Sequence, residues 1–351
     1  MKIVVLAGGS GQRLWPVSRK NNPKQFISIL GNKSLIKLTV ERLLKVFNKK
    51  DILIVLNKKL LKEAKKQLPY LSNSNFIIEP QKISTTAAIG LAVYNIYKKN
   101  PQEIIVTMAS DHYIGNDQEF LNSLKHLFKF IKQNPQSICL FGIKPTYPET
   151  GYGYIETTKN FKLIDDKKFL KVKKFIEKPN LNLAKKIYSL SSFFWNGSYF
   201  AFRADYMVNL FKNFIPKSHN IFLKILKGQN KAFNFIDSRP FEYSIIQNIK
   251  NNIFVLPVNF EWADVGHWAS VKEIQSKKSD ENVVLGLHHY LNTKNCLLYN
   301  YSNRFLTTIG IKNILIIQVE DGVLVCHKDF AQDVKKMVEE ISKKSYFKKF
   351  L

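Results

Sequence analysis

Short apolar runs alternate with longer amphipathic segments through the first half of the chain. The runs are continuously apolar, which is typical of strands covered on both faces, whereas the segments between them have the spacing of amphipathic helices. The runs predict strands over residues 3–6, 52–56, 76–78, 104–108 and 138–143, and the segments predict helices over 34–47, 58–67, 85–98 and 118–132. This order predicts an α/β fold with a Rossmann-like, mostly parallel sheet flanked by helices. The carboxyl ends of parallel strands share one edge of such a sheet, where ligands bind.

The pattern changes at about residue 276. Before it, further strands are predicted over 151–156, 172–176 and 199–202, with helices over 204–214 and 241–248. The polar stretch 276–280 is typical of a domain boundary. Short apolar runs follow it at 283–285, 296–300, 305–309, 314–319 and 323–325, before an amphipathic helix over 331–342. We therefore expect a large α/β domain over residues 1–276 and a small β-rich domain over 281–351. The short strands allow a β-helix, although no tight repeat requires one.

A glycine-rich loop, Gly8-Gly9-Ser10-Gly11-Gln12-Arg13, follows the first predicted strand. Glycines let backbone N–H groups approach an anion, and Arg13 adds a planar set of donors that suits phosphate oxygens. Lys24, in Pro23-Lys24-Gln25-Phe26, adds a second cation. The loop matches neither common glycine fingerprint, because Leu14 stands where the dinucleotide motif needs glycine and no Gly-Lys-Ser/Thr triplet occurs. It predicts a polyphosphate site, against the alternative of a structural turn before a helix.

Two carboxylates follow further downstream. Asp111 comes shortly after the strand predicted over 104–108, and Asp264 lies in the aromatic segment Trp262-Ala-Asp-Val-Gly-His-Trp268. A carboxylate at the end of a buried strand, facing a phosphate loop, is placed to bind Mg²⁺, whose other ligands come from phosphates. The alternatives are a helix N-cap for Asp111 and a structural turn for Asp264.

Three further segments suit a sugar phosphate. Lys178 and Glu177, in Phe175-Ile-Glu-Lys-Pro179, offer a point charge for a phosphate and an acceptor for hydroxyls. Asn196 offers two donors and an acceptor, and the backbone at Gly153 and Tyr154 can lie against a sugar. Each motif alone is equally compatible with a structural turn or a strand end.

These segments, in this order, resemble the sugar-1-phosphate nucleotidyltransferases, and the mannose-1-phosphate guanylyltransferases in particular. The resemblance extends over essentially the whole chain and is carried by the glycine loop with Leu14-Trp-Pro16, by Pro23–Phe26, Ser110–His112, Phe175–Pro179, Trp195-Asn196 and Trp262–Trp268. Ile83-Ser84 departs from the basic residue and asparagine usual before Thr85. The resemblance implies a nucleotidyltransferase, GT-A-like fold, in the short form without an isomerase domain.

The resemblance also implies an enzyme that transfers GMP from GTP to α-D-mannose 1-phosphate, giving pyrophosphate and GDP-mannose for polysaccharide biosynthesis, with Mg²⁺ as cofactor. The catalytic residues that it implies are Arg13, Lys24, Asp111, Lys178 and Asp264, with the metal on Asp111 and Asp264. The nucleotide-binding residues that it implies are Leu6, Ala7, Gly8, Gly9, Gly11, Arg13, Lys24, Glu79, Thr85 and Asp111, and the sugar-phosphate-binding residues are Gly153, Tyr154, Glu177, Lys178 and Asn196. The alternatives are the same chemistry on another sugar 1-phosphate or nucleoside triphosphate, and an inactive subunit that senses nucleotide sugars.

The formal net charge of +27 raises the question of a nucleic-acid partner. Only six of the 54 basic side chains are arginine, and the lysines are scattered without a nucleic-acid-binding motif, so we expect steering of anionic substrates and no nucleic acid. No apolar run approaches the roughly 20 residues of a membrane span, and no signal peptide is evident, which predicts a cytoplasmic protein without membrane contact. The widely spaced Cys139, Cys296 and Cys326 predict reduced thiols. The short C-terminal strands bury little core alone, and we expect a homodimer.

Overall fold

The computed structural model describes residues 1–9, 11–278 and 280–351, so Ser10 of the glycine loop and Ser279 of the predicted boundary lie outside the described residues. The chain forms two compact units, each assembled from separate stretches of sequence. The first unit contains Met1–Gly8, Arg42–Ala109 and Ile114–Glu261, and the second contains Gly9–Glu41, Ser110–Tyr113 and Trp262–Leu351. The division of the sequence into domains at 276–281 stays a prediction.

The strands and helices follow in chain order. The strands are β1 (Lys2–Leu6), β2 (Ile52–Asn57), β3 (Phe76–Glu79), β4 (Ile104–Ala109), β5 (His112–Ile114), β6 (Ile138–Ile143), β7 (Tyr154–Ile164), β8 (Lys167–Ile176), β9 (Phe193–Arg203), β10 (Ile253–Val258), β11 (Trp262–Asp264), β12 (Val283–Leu285), β13 (His288–Leu291), β14 (Leu297–Asn300), β15 (Leu306–Ile309), β16 (Ile314–Val319) and β17 (Gly322–His327). The α-helices are α1 (Leu35–Leu44), α2 (Leu61–Gln67), α3 (Thr85–Tyr97), α4 (Asp117–Gln133), α5 (Leu181–Ile187), α6 (Ala204–Phe214), α7 (Pro216–Leu226), α8 (Phe241–Ser244), α9 (Trp268–Gln275) and α10 (Val334–Ser342).

The central sheet of the first unit has, within the described residues, nine strands in the order β3-β2-β1-β4-β9-β6-β10-β8-β7. Strands β1 to β4 run parallel to one another, as do β6 and β10. Strand β9 runs antiparallel between β4 and β6, and β7 and β8 form an antiparallel hairpin. The parallel part agrees with the continuous apolar runs of the sequence, whereas the antiparallel β9 is not evident from them.

Helices cover both faces of this sheet. Leu140 on β6 belongs to one large core cluster with residues of α3, α6 and α7. Its neighbour Phe141 points to the opposite face, where its ring packs edge-on against Phe120 of α4, with 6.1 Å between the ring centroids. The predicted α/β class with a helix-flanked sheet is therefore confirmed.

The structure differs from the prediction at residues 241–248. The helix α8 ends at Ser244, and a short 3₁₀ turn, Ile246–Asn248, follows it. The side-chain amide of Asn248 donates hydrogen bonds to the carbonyls of Tyr243 and Ser244, so the helix end is satisfied without further turns. Strand β10 and helices α5, α7 and α9 also lie where no element was predicted.

In the second unit, successive short strands alternate between two parallel sheets. Strands β12, β14 and β16 pair in parallel, as do β13 and β15, and β17 closes the first sheet in antiparallel orientation. A chain that alternates in this way forms the coils of a β-helix. These coils share one core with the N-terminal loop segment: Leu14, Trp15, Ile27 and Ile29 pack in the same buried cluster as Trp268, Leu297, Tyr299, Leu315 and Ile317.

No helix among the described residues is long and apolar enough to cross a membrane. The three cysteines are free thiols; Cys139 and Cys296 are buried, and Cys326 is partly buried.

Candidate active site

A buried lysine lies between two carboxylates in the second unit. The Nζ atom of Lys24 is 2.8 Å from Oδ2 of Asp111 and 3.3 Å from Oδ1 of Asp264, and it also donates to the carbonyl of Val265 at 3.0 Å. The strands β5 and β11 pair and bring the two aspartates together, and the hydroxyl of Thr39 donates to the carbonyl of Ser110, beside Asp111. We call Lys24, Asp111 and Asp264 the lysine–aspartate cluster.

The charges of this cluster stabilise one another. Burial alone would lower the pKa of Lys24, but the two carboxylates outweigh it and raise that pKa above its ordinary value. Burial would raise the pKa of Asp264, whereas Lys24 holds it below its ordinary value. Lys24 and Asp264 are therefore both ionised at neutral pH.

The glycine loop lies directly against the lysine–aspartate cluster. Gly11 has a φ of +62°, and a Cβ there would lie 2.4 Å from Oγ of Ser18 and 2.8 Å from Cβ of Lys24, so no other residue fits. A Cβ on Gly9 would lie 3.7 Å from Oδ2 of Asp111. Arg13 is exposed, and none of the ion pairs within the described residues involves it. The loop thus presents backbone and an unpaired cation beside the carboxylates.

Two histidines beside the cluster were not assigned a role in the sequence analysis. Burial lowers the pKa of His267 to about 4, with Arg13 and Lys24 acting in the same direction and Asp264 opposing it, so this ring is neutral at pH 7. Its Nδ1 accepts the backbone N–H of Ser270 at 3.2 Å and caps helix α9. His112 also has a lowered pKa, caused by burial, and contacts Nε1 of Trp262 at 3.3 Å. In the sequence, the only signal for these histidines is their closeness to the aspartates: His112 follows Asp111 directly, and His267 comes three residues after Asp264.

The loop segment is anchored by C-terminal residues of its own unit. The indole Nε1 of Trp15 donates to the carbonyl of Phe350 at 2.8 Å, and Nε1 of Trp268 donates to the carbonyl of Trp15 at 2.9 Å. The guanidinium of Arg19 donates to both oxygens of Asp321, at 2.7 and 2.5 Å. Trp15 and Arg19 therefore hold the loop in place and do not contact the carboxylates of the cluster.

The predicted nucleotide-binding residues of the first unit lie at the ends of β1 and β3. Leu6 is the last residue of β1 and Ala7 follows it, and a Cβ on Gly8 would lie 3.6 Å from Oε2 of Glu79. Glu79 is buried, and burial raises its pKa to about 7, while Lys82 acts in the opposite direction. The hydroxyl of Thr85 accepts the backbone N–H of Phe241 at 2.9 Å, so this side chain has a structural partner. Ser84, in the atypical segment, is the N-cap of α3.

A second polar cluster of the first unit contains the predicted sugar-phosphate residues. Nζ of Lys178 is 3.2 Å from Oε1 of Glu177, and a Cβ on Gly153 would lie 2.6 Å from Oε2 of Glu177. The backbone N–H of Asn196 donates to the carbonyl of Gly153 at 2.8 Å. Tyr154 is fully buried.

This second cluster includes two residues that the sequence analysis did not single out. The carboxylate of Glu242 accepts from Oγ of Ser198 at 3.0 Å and from Nδ2 of Asn196 at 3.5 Å. The backbone N–H of Ser198 donates to Oδ1 of Asn196 at 3.0 Å. We call Glu177, Lys178, Asn196, Ser198 and Glu242 the glutamate–amide cluster.

The donors in the second unit suit a divalent cation with few protein ligands. The described residues contain no group of three or more His, Cys, Asp or Glu side chains that could hold a metal. Asp111 and Asp264 nevertheless already hold one cation between them, the ammonium of Lys24. Two carboxylates with phosphate oxygens to complete the shell form the usual environment of Mg²⁺ in nucleotide enzymes.

The structure thus brings the predicted residues together within each unit. Gly9, Gly11, Lys24, Asp111 and Asp264 meet in the second unit, and Gly153, Glu177, Lys178 and Asn196 meet in the first. Their roles toward ligands stay predictions.

Comparisons with known proteins agree with this arrangement. Residues 2–281 match the model of the nucleotidyl transferase family, and residues 286–341 match that of the mannose-phosphate isomerase/GMP-like β-helix domain. The chain is 33% identical over 353 residues to the mannose-1-phosphate guanylyltransferase of Salmonella montevideo, covering 96% of this chain and 73% of the relative. It is 32% identical over 357 residues to that of Salmonella typhimurium LT2, covering 97% and 72%.

A solved structure has the same fold over nearly the whole chain. The crystal structure from Thermus thermophilus of a protein named mannose-1-phosphate geranyltransferase has a TM-score of 0.88 and 28% identity, and the match covers 97% of this chain and 99% of that one. The resemblance predicted from the motifs is confirmed: the chain belongs to the nucleotidyl transferase family, among the mannose-1-phosphate guanylyltransferases.

Proposed function

We propose that the protein transfers GMP from GTP to α-D-mannose 1-phosphate, forming GDP-mannose and pyrophosphate. The observation that carries the proposal is the buried lysine–aspartate cluster beside a glycine loop, in a chain of this family. An oxygen of the sugar phosphate forms a bond to the α-phosphorus of GTP while the bond from that phosphorus to the bridging oxygen breaks, and pyrophosphate leaves. The attacking phosphate is already an anion, so catalysis consists of positioning and charge neutralisation.

The side chains of the second unit serve the nucleotide phosphates. Arg13, exposed and unpaired within the described residues, binds the triphosphate, and the backbone at Gly9 and Gly11 lies against it. Lys24 holds Asp111 and Asp264 together before substrate enters, and then binds the phosphates. Asp111 and Asp264 would hold Mg²⁺, which when bound neutralises charge on the reacting phosphate.

The residues of the first unit serve the base and the sugar. Glu79 accepts N–H groups of the guanine, whose N1 and 2-amino groups form a donor pair that fits one carboxylate. Lys178 binds the phosphate of the incoming sugar as a point charge, and Glu177 and Asn196 bind sugar hydroxyls. The backbone of Leu6, Ala7, Gly8 and Thr85 lies along the nucleoside, and that of Gly153 and Tyr154 along the sugar.

Assembly and location belong to the same proposal. The parallel pair β13–β15 exposes Leu291 opposite Ile309, with Leu287 and Phe305 beside them, and all four are more than half exposed. A surface of this kind is typical of an interface, and we propose that a second copy of the chain covers it in a cytoplasmic homodimer. Light scattering of wild type and Ile309→Glu tests this: a wild-type monomer would contradict it.

One assay tests the activity. Purified protein is incubated with each of several nucleoside triphosphates and several hexose 1-phosphates with Mg²⁺, and pyrophosphate release is measured. GTP with mannose 1-phosphate should give the highest kcat/KM. A different preferred pair would correct the substrates but keep the chemistry. Binding of nucleotide sugar without any turnover would instead support the regulatory alternative.

A further inference from the structure

Glu242 lies in the glutamate–amide cluster, although no motif of the sequence drew attention to it. Its Oε1 accepts from Oγ of Ser198 and from Nδ2 of Asn196, the amide to which sugar hydroxyls were assigned. The side chain is partly exposed, so a ligand can reach it. An oxygen of a carboxylate accepts more than one hydrogen bond, and the second oxygen adds further capacity.

The electrostatics place Glu242 close to the other charged members of the cluster. Burial raises the pKa of Glu242, the neighbouring Glu177 raises it further, and Lys178 acts in the opposite direction. Glu177 and Asn196 also meet at Gly153, where an added Cβ would lie 2.6 Å from Oε2 of Glu177 and 3.5 Å from Cβ of Asn196. Both carboxylates therefore lie near one amide, with Lys178 beside Glu177. Such a set accepts hydrogen bonds from several hydroxyls, which a polyol offers and a phosphate does not.

The segment that carries Glu242 is firmly positioned. The backbone N–H of Phe241 donates to the hydroxyl of Thr85 at 2.9 Å, and the hydroxyl of Thr86 donates to the carbonyl of Arg239 at 2.6 Å. The Phe241 ring is fully buried and packs edge-on against Phe200, with 5.3 Å between centroids. These contacts also give Thr85 a part in holding Glu242.

The backbone around the cluster is strained on both sides. Ser198 has a φ of +56° and Lys178 a φ of +46°, both in the left-handed region that side chains other than glycine rarely adopt. Strain of this kind is retained where the surrounding contacts fix a conformation, and it concentrates at ligand sites. Here Ser198 and Lys178 both belong to the glutamate–amide cluster.

We propose that Glu242, held by Ser198 and Asn196, accepts a hydrogen bond from one hydroxyl of the sugar 1-phosphate and thereby sets selectivity among hexoses. The inference rests on the proposed function and adds to it a specificity-determining residue. It predicts that a substitution of Glu242 changes the KM for the sugar 1-phosphate and leaves the KM for GTP unchanged.

The test compares wild type with Glu242→Gln, which keeps the shape of the side chain. Steady-state kinetics are measured with the hexose 1-phosphate that wild type prefers, its monodeoxy analogues and its C2 and C4 epimers. We expect the KM for the preferred sugar to rise about 10-fold, with the KM for GTP unchanged. One monodeoxy analogue, which lacks the hydroxyl bound by Glu242, should be used equally well by both proteins.

Glu156→Gln is the matched control, because Glu156 lies on strand β7 of the same unit but pairs with Lys173 and Lys174. The selectivity of Glu156→Gln among the sugar 1-phosphates should equal that of wild type. An equal loss on every analogue, or a parallel rise in the KM for GTP, would overturn the inference and leave Glu242 a structural residue. Absence of turnover by wild type on every sugar would overturn the proposed function itself, and the inference with it.

Discussion

The two polar clusters are built on opposite principles. In the lysine–aspartate cluster, the ammonium of Lys24 lies 2.8 Å from one carboxylate and 3.3 Å from the other in a largely buried place, and it offsets part of their negative charge. In the glutamate–amide cluster, a hydroxyl and an amide donate to the carboxylate of Glu242, Lys178 lies beside Glu177, and two residues have left-handed backbone. The first arrangement suits phosphates and a cation, whereas the second suits hydroxyls, with one lysine for a phosphate. Under the proposed function, the first cluster serves the nucleotide phosphates and the metal, and the second serves the sugar and its phosphate.

The largest effect is expected at the aspartates. Asp264→Asn and Asp111→Asn should each lower kcat by about 10²- to 10⁴-fold, because loss of a metal ligand removes several kcal/mol of charge stabilisation. The measurement is pyrophosphate release at limiting Mg²⁺, with folding checked by circular dichroism. Asp329→Asn, an exposed aspartate of the same unit, is the control. Wild-type activity in either variant would contradict the assignment of the metal to the lysine–aspartate cluster, and with it the difference proposed between the clusters.

A second test removes Lys24, so that a metal ion becomes the cation between the two aspartates. Lys24→Met should lower kcat by about 10²-fold, because a preorganised cation at the phosphates is lost. It also leaves Asp111 and Asp264 facing each other without a cation, so Mg²⁺ alone should raise the melting temperature of this variant more than that of wild type. Equal shifts by Mg²⁺ in both proteins would show that the aspartates do not bind the metal.

Lys178 tests the other cluster. Lys178→Ala should raise the KM for the sugar 1-phosphate by about 10- to 100-fold, since a hydrogen bond to a charged group contributes about 1.5–3 kcal/mol. The affinity for GTP, measured by calorimetry without sugar, should not change. Lys174→Ala, on strand β8 just before Lys178 and paired with Glu156, is the control. A matching loss of GTP affinity would assign Lys178 to the nucleotide.

At Glu79 we expect a smaller effect, on nucleotide affinity, that depends on pH. With its pKa raised to about 7, the side chain is largely protonated below pH 7 in the free protein and accepts fewer hydrogen bonds there. The ratio of GTP to ITP affinity should therefore rise several-fold from pH 6 to pH 8, because ITP lacks the 2-amino donor while its phosphates titrate alike. Glu79→Gln should make the ratio independent of pH, and a pH-independent wild-type ratio would contradict the assignment.

The same group has the opposite effect on stability. Its folded-state pKa lies above the usual value of 4.5, so the folded protein holds a proton that the unfolded chain releases first. The contribution of Glu79 to the free energy of unfolding should fall as the pH rises from about 4.5 through 7. The difference between wild type and Glu79→Gln in urea unfolding measures it.

The smallest effect is expected outside both clusters. Asp321→Asn removes the partner of Arg19 at a partly exposed site and should lower the free energy of unfolding by about 0.2–1 kcal/mol, with kcat unchanged. A loss of kcat comparable with that of the aspartate variants would show that the β-helix positions the glycine loop through this ion pair.

The sequence by itself determined much of the fold and of the candidate site. Continuous apolar runs predicted the parallel strands, because burial on both faces of a sheet leaves no alternation. The glycine loop, Asp111, Lys178 and Asp264 were evident because each interrupts an apolar or aromatic segment with a residue type whose chemistry is narrow. The glycine-rich loop motif singled out Gly11, and its φ of +62° gives the physical reason for a glycine there.

Other features depend on the tertiary structure alone. Glu242, Ser198 and His267 stand in ordinary surroundings in the sequence, and their roles arise from contacts with residues 44 or more positions away, or from burial. The antiparallel β9 and the common core of Trp15, Tyr299 and Leu315 likewise join distant segments. A local sequence pattern indicates only which side of a segment is buried and which is exposed to solvent. Which segments meet one another is decided by the packing of the whole chain, and the ion pairs of Lys24 with Asp111 and Asp264 exist only there.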